Sequence, residues 1–243
     1  MIFLAIAIGA AAVLSHTAPA PFLFEAFRPA RSLWRVGIPS GSTPTLFLTF
    51  DDGPNPQWTP ALLDALKETG AVATFFLIEA HITEETAPIV LRIARDGHAI
   101  GLHSGTRKLM IMPPGDLAAQ LTRAAERIRS ITGEPPCRMF RPHAGWRSAT
   151  MYQALESIDY RLVGWSWGMW DWDWWRTPRG DRVSARLARK ASSGDIIVIH
   201  DGHHKNPRAD RRHAAEAVRQ FVPLMRSKGY RFARLCEPET RRR

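Results

Sequence analysis

Short apolar runs alternate with segments of helical periodicity along most of this chain, and the alternation begins at residue 44. Such a pattern predicts β-strands separated by α-helices, which together form a largely parallel sheet. The strands are expected near residues 45–50, 73–78, 98–102, 138–141, 161–165, 195–200 and 230–235. The helices are expected near residues 59–69, 84–96, 115–131, 148–158, 181–192 and 209–228. The pattern therefore predicts an α/β fold, a deformed (β/α) barrel of about seven parallel strands, with an open doubly wound sheet as the alternative.

The segments outside this pattern predict an exported protein. Residues 2–14 form an apolar run that is shorter than the ~20 residues a membrane span needs. We therefore interpret residues 1–20 as a signal peptide, with a membrane anchor as the alternative that would associate the protein with a membrane. Residues 21–43 are expected to form a linker or arm, residues 44–237 the folded domain and residues 238–243 a basic tail. The expected location is the cell envelope.

The composition of the chain restricts the class of protein to which it can belong. It carries 33 Lys and Arg against 23 Asp and Glu, a formal net charge of +10, and most of the basic excess lies on predicted helices after residue 100. No zinc-finger spacing or RNA-binding signature accompanies that charge, so no nucleic-acid partner is expected, and an Arg-rich nucleic-acid-binding domain is the weaker alternative. Two cysteines, Cys137 and Cys236, cannot form a disulfide framework. They form one bridge or stay as buried thiols, and we expect the thiols.

Polar side chains follow five of the predicted strands at the point where each strand ends. Asp51 and Asp52 follow the first strand, His103 the third, Arg141 the fourth and His200 the sixth. In a parallel barrel these strand ends surround one pocket, so the side chains are expected to converge. Adjacent carboxylates resist joint ionisation unless a cation lies beside them, which suggests a metal ligand next to a base, although Asp-Gly-Pro is also common turn chemistry. Two further carboxylates, Asp171 and Asp173, follow the fifth strand.

The motifs at these strand ends resemble those of polysaccharide deacetylases with a NodB-homology domain, carbohydrate esterase family 4. The resemblance covers about residues 44–237. Residues 49–54 (TFDDGP) match the first motif completely, and residues 97–104 (GHAIGLHS) resemble the second. The third, fourth and fifth motifs correspond to residues 140–145 (FRPHAG), 170–175 (WDWDWW) and 197–200 (IVIH).

This resemblance implies a metal-dependent hydrolase that removes N-acetyl groups from GlcNAc-type residues of a cell-envelope or chitin-like polysaccharide. The implied cofactor is a divalent metal, zinc in the first instance, bound by Asp52 and His103. Asp51 would be the general base, His200 the general acid, and Arg141 would orient Asp51. The other roles implied are an oxyanion contact from the backbone of Ala144, tuning of His200 by Asp171 or Asp173, and an acetyl-methyl wall from Val198 and Ile199.

One position departs from the family pattern. The second motif ends with another His four residues after the first, which supplies the third metal ligand, and this chain has Arg107 there. A guanidinium has no lone pair to donate, so Arg107 cannot be a ligand. A substitute ligand could come from His143, His203 or His204, with His143 the first choice. Otherwise the site has two ligands, or Arg107 replaces the metal charge beside Asp52 and leaves a non-catalytic glycan-binding protein.

Six of the nine tryptophans lie within residues 165–175. Their flat rings suit the apolar faces of pyranose sugars, and this predicts a sugar-binding platform at the rim of the site. The alternative is that the loop packs on itself and on the rim of the barrel. The residues expected to contact substrate are Trp146, Trp170, Trp172 and Trp174.

Overall fold

The computed structural model describes residues 4, 6, 32–168, 171 and 178–236. Apart from residues 4 and 6, the predicted signal peptide or anchor lies outside the described residues, as do residues 21–31 of the predicted arm. The predicted basic tail and four predicted site residues also lie outside them, namely Trp170, Trp172, Asp173 and Trp174.

The strands of the described residues form one parallel sheet. They are β1 (Ser32–Leu33), β2 (Thr45–Gly53), β3 (Thr74–Ile78), β4 (Ala99–His103), β5 (Met139–Arg141), β6 (Arg161–Val163), β7 (Trp167–Gly168), β8 (Ile196–His200) and β9 (Arg231–Phe232). Their spatial order is β1-β6-β5-β4-β3-β2-β8-β7, with β9 beside β2. The predicted α/β fold is confirmed as a half-barrel, because no pairing of the described residues joins β1 to β7. All seven predicted strands are present, and β1, from the arm segment, and β7 are additional.

Helices connect most of these strands and cover the outer face of the sheet. They are α1 (Trp58–Thr69), α2 (Ala87–Arg95), α3 (Pro114–Thr132), α4 (Ala149–Ser157), α5 (Gly180–Lys190) and α6 (Arg212–Ser227), and each corresponds to a predicted helix. Short 3₁₀ turns at Glu79–His81, Arg107–Ile111 and His143–Gly145 follow β3, β4 and β5. Within the described part of the chain, no helix is both long enough and apolar enough to cross a bilayer.

The side chains of strand β2 contribute to two different cores, one on each face of the sheet. All nine of its residues are buried, and its side chains alternate between the faces. Leu46, Leu48 and Phe50 pack in the main core between sheet and helices. Phe47 packs in a smaller core on the inner face, which also contains Val198 of β8. On the inner face, an apolar core therefore lies next to the carboxylates at the end of β2.

The two cysteines form a disulfide, so the expectation of buried thiols was wrong. Cys137 precedes β5 and Cys236 follows β9, at the end of the described residues. They are 99 positions apart in sequence, and their Cα atoms are 6.3 Å apart. Sequence spacing alone could not reveal this proximity, because it results from parallel strands that are distant along the chain. The bridge fastens the last strand to the start of β5.

Candidate active site

The carboxyl ends of β2, β4, β5 and β8 surround a cavity of about 580 Å³. The structure therefore brings most of the sequence-predicted site residues together, as expected for the carboxyl edge of a parallel sheet. The lining includes Asp51, Asp52, His103, Arg107, His143, Ala144, Trp165, Val198, His200, His203, His204, Lys205 and Arg211.

Asp51 is fixed by a buried ion pair with Arg141. The Nη1 atom of Arg141 donates to Asp51 Oδ1 at 2.6 Å and to Thr49 Oγ1 at 2.7 Å. Its Nη2 atom donates to the carbonyl of Gly164 at 2.9 Å, and the guanidinium lies 4.0 Å from the ring centroid of Phe76. Arg141 has no exposed surface. These contacts hold one oxygen of the Asp51 carboxylate in a single orientation at the base of the cavity.

Asp52 has an unusual backbone that is supported on two sides. Its φ of 70° lies in the left-handed region, which is uncommon for a residue with a side chain. The Nδ1 atom of His81 donates to the carbonyl of Asp52 at 3.0 Å. Gly202 packs so closely on the other side that a Cβ there would lie 2.0 Å from the same carbonyl oxygen. The backbone is thus clamped in the conformation that directs Asp52 toward β4.

Asp52, His103 and His143 form a cluster of possible metal donors. One donor atom from each lies within 4.8 Å of the others. His103 Nδ1 donates to the carbonyl of Arg141 at 2.6 Å, which directs Nε2 toward Asp52 Oδ1 at 3.1 Å. Such a second hydrogen bond fixes the ring of a metal-binding histidine. The backbone N–H of His143 donates to Ser104 Oγ at 2.8 Å and fixes the position of the third member.

The protonation states of the three donors differ. Burial alone would lower the pKa of His103, but the charge of Asp51 and the hydrogen bond and charge of Asp52 outweigh it and raise that pKa, so a bound cation would displace a proton from this ring. Burial lowers the pKa of His143 to about 4, with a further contribution from the neighbouring histidines, so its ring is neutral near pH 7. Burial alone would raise the pKa of Asp52, but the hydrogen bond and charge of His103 outweigh it and hold that pKa below its usual range. Apart from that contact with His103, no described residue donates a hydrogen bond to the buried Asp52 Oδ1. One carboxylate and two imidazoles are donors that a divalent cation accepts, so the residues fit such an ion.

Arg107 does not neutralise Asp52. Its side chain is exposed, and its guanidinium lies 5.3 Å from the ring centroid of Trp146 at the rim of the cavity. In the described part of the chain, the ion pair of Asp52 is with His103. The hypothesis that Arg107 takes the place of the metal charge is therefore not supported by the geometry.

His200 shares a buried carboxylate with a second histidine. Its Nδ1 and its backbone N–H approach the two oxygens of Asp171 at 3.0 and 2.6 Å. His213 Nε2 lies 3.3 Å from Asp171 Oδ2. Burial alone would lower the pKa of His200, but the charge and hydrogen bond of Asp171 outweigh it and raise that pKa to about 9. Asp171, one of the two carboxylates considered from sequence, lies against His200, and Asp173 lies outside the described residues.

The remaining predicted residues divide between the cavity and the core. Ala144 lies in the cavity wall with a φ of 50°. Trp146 is half-buried against Arg107 and is not among the described residues that line the cavity. Val198 lines the cavity, but Ile199 packs in the main core beneath the helices, so its prediction as a substrate contact was wrong. Successive strand residues face opposite sides of a sheet, which separates this pair. His203 and His204 lie at the cavity edge with stacked rings 4.6 Å apart, and His204 lies 4.5 Å from His143.

Comparison with known proteins assigns the family. A family model described as polysaccharide deacetylase matches residues 39–163. A peptidoglycan-N-acetylglucosamine deacetylase of Bacillus cereus is 30% identical over 192 residues, which are 78% of this chain and 85% of that protein. The chain belongs to the polysaccharide deacetylase family. A second member, a chitooligosaccharide deacetylase of Azorhizobium caulinodans, is 31% identical over 194 residues, 76% of this chain and 90% of the relative.

A solved structure of a family 4 acetyl xylan esterase from Clostridium thermocellum, in complex with a cobalt ion, shares the deacetylase fold. It is 28% identical, with a TM-score of 0.69, and the similarity covers 79% of this chain and 88% of that one. The half-barrel is therefore the fold of this family.

Sequence reasoning missed three residues of this deacetylase site. His213 reaches Asp171 from the first turn of α6, and His81 reaches the backbone of Asp52 from the 3₁₀ turn after β3. Arg211 lines the cavity and donates from Nε to the carbonyl of Gly202 at 2.7 Å. Neither His213 nor Arg211 follows a predicted strand, so the strand-end rule could not find them. His81 does follow one, and that position was the available signal.

Proposed function

We propose that this deacetylase-family member hydrolyses the N-acetyl group of GlcNAc-type residues in a cell-envelope polysaccharide, with a bound divalent metal. The observation that carries the proposal is the arrangement around one cavity. A carboxylate held by a buried arginine, Asp51, lies beside the donor cluster of Asp52, His103 and His143, and His200 lines the same cavity. This set contains a base, a Lewis-acid site and an acid, which hydrolysis of an unactivated amide needs.

The proposed metal ligands are Asp52, His103 and His143, with His143 in the place of the family histidine that Arg107 has replaced. A divalent cation bound there would polarise the amide carbonyl and lower the pKa of water. Zinc is our first choice, because three protein donors with an open position are the usual catalytic zinc arrangement. The exposed position of Arg107 keeps its charge away from Asp52.

In the proposed reaction, one residue of this chain accepts a proton and another donates one. Asp51 accepts a proton from the attacking water, and Arg141 keeps the carboxylate oriented for this transfer. His200 is protonated below about pH 9 and donates its Nε2 proton to the leaving amine nitrogen, while Asp171 holds Nδ1. The backbone N–H of Ala144 would stabilise the oxyanion, and Val198 would contact the acetyl methyl group. The products are acetate and a free amino sugar.

The proposed location is outside the cytoplasm, in the cell envelope. The disulfide between Cys137 and Cys236 supports it, since such bridges persist in oxidising compartments. The apolar run at residues 2–14 and the basic surface of the chain agree with export toward an anionic envelope.

The test is acetate release from GlcNAc oligomers by metal-stripped protein reloaded with Zn²⁺ or Co²⁺. We expect turnover with metal, and a loss of about 10²–10⁴-fold in Asp51→Asn, the range that a general base contributes. Asp116→Asn removes an exposed carboxylate of α3 and is the matched control, with unchanged turnover. No acetate with either ion would refute the proposal.

A non-catalytic glycan-binding protein is the alternative. It predicts glycan affinity that survives chelation of metal and falls in Trp146→Ala, without acetate release. Because the fold is shared with an acetyl xylan esterase, acetylated xylan should be tested as a second substrate in the same assay. This comparison shows whether an O-acetyl ester is the preferred substrate.

A further inference from the structure

The mouth of the cavity carries positive charge that the proposed chemistry does not use. Five side chains of acidic residues, lysine or arginine line the cavity, and the two acidic ones are paired, Asp51 with Arg141 and Asp52 with His103. The other three are cationic, namely Arg107, Lys205 and Arg211. Arg107 and Lys205 are both exposed, so their charges lie at the opening rather than at the base.

Arg107 and Lys205 lie on neighbouring loops. The loop after β4 carries Arg107 and touches the loop after β8 at Gly105, where a Cβ would lie 3.5 Å from the carbonyl oxygen of His204. Lys205 is the next residue after that carbonyl. Among the described residues, neither cation forms an ion pair with an acidic side chain. The two charges are therefore available to a ligand that enters the cavity between these loops.

Arg107 also has a defined support. Its guanidinium stacks at 5.3 Å from the ring centroid of the half-buried Trp146, which restricts a side chain that would otherwise be mobile. A planar guanidinium supported on one face presents its N–H groups at its edge, and a carboxylate binds such an edge with two parallel hydrogen bonds. A neutral GlcNAc oligomer offers no group that uses this charge.

We propose that Arg107 and Lys205 form an anion subsite that selects substrates carrying a carboxylate on or next to the N-acetylated sugar. The inference rests on the proposed function, since it assigns the substrate class of the same cavity. Arg107 is thus a specificity-determining residue. The position that lost a metal ligand provides a substrate contact instead.

The experiment compares one oligosaccharide in two forms, with the free carboxylate and with that group converted to a neutral carboxamide. We expect wild type to favour the carboxylate form in kcat/KM, mainly through a lower KM. In Arg107→Gln this preference should fall about fivefold, the factor of an exposed ion pair at the upper end of its usual strength. Lys205→Gln should lower it further, and added salt should reduce it in wild type.

Arg95→Gln is the matched control. Arg95 is an exposed arginine at the carboxyl end of α2, which precedes the amino end of β4 and so lies at the opposite edge of the sheet. It should leave the preference unchanged. Equal rates on the two forms in wild type, or an equal loss on both forms in Arg107→Gln, would overturn the subsite.

Binding of the same pair separates this inference from the proposed function. Tryptophan fluorescence of Asp51→Asn, which lacks the base, reports affinity without turnover. A carboxylate preference in binding without acetate from any substrate would refute the enzyme and keep the subsite. Acetate from both forms with equal affinity would refute the subsite and keep the enzyme.

Discussion

Replacement of His143 by Ala tests the most unusual feature of the proposed site, a metal ligand that we propose is supplied from the turn after β5. The change leaves Asp52 and His103 as the remaining donors of the cluster. Four-ligand structural zinc sites bind with an apparent free energy of about 10–16 kcal/mol, so one ligand contributes on the order of 3 kcal/mol. His143→Ala should therefore weaken zinc binding about 100-fold. The neutral ring of His143, with a pKa of about 4, means that little of this energy is spent on removing a proton at pH 7.

The assay is a competition titration of metal-stripped protein against a chromophoric zinc chelator, with unfolding by urea to confirm that each variant folds. His204→Ala is the matched control, because its ring lies 4.5 Å from that of His143 but is not part of the three-donor cluster. Its zinc affinity should stay near that of wild type. Adding Arg107→His to His143→Ala places a donor where the family has one and should recover part of the lost affinity. Wild-type affinity in His143→Ala would refute the assignment.

Three further predictions concern His200, the ion pair of Arg141 and the disulfide. Activity that needs protonated His200 should decline as pH rises through about 9, and Asp171→Asn, which removes the interaction that raises this pKa, should move the decline of kcat/KM toward 6.5. Arg141→Leu leaves the Asp51 carboxylate buried without its partner and should cost about 3–5 kcal/mol in the free energy of unfolding, measured with urea. Cys137→Ser removes a bridge across 99 positions and should cost about 2–5 kcal/mol, a loss that mild reduction of wild type should reproduce in thermal melts.

The sequence predicted the strands well because local and tertiary preferences agree there. Apolar runs such as residues 196–199 are buried on both faces, and most of them are followed by a helix whose period is distinct. The same run shows a limit of motif reasoning. Val198 and Ile199 belong to one motif, yet the two-residue period of a strand places them on opposite faces. Counting back from His200, which lines the cavity, would have assigned Ile199 to the core.

Other parts of the site depend on proximity that no local pattern encodes. His213 lies 42 positions from Asp171, and the disulfide joins positions 99 apart. His143 was identifiable only as one of three possible substitutes, because the distance between the turn after β5 and Asp52 depends on the curvature of the sheet. The strand order β2, β3, β4, β5 alone does not give that distance, which is known only from the folded structure, where the three donor atoms lie within 4.8 Å of one another.

The placement of His143 has a consequence for how such a site can change over generations. Positions 107 and 143 lie in different loops, so a chain can gain a donor at one before it loses the donor at the other. Every step of that route keeps three donors, and none requires a protein without a functional centre. A search for relatives that demands the usual two-histidine spacing would discard the end product of this route as degenerate. A search for donors that meet in space would keep it.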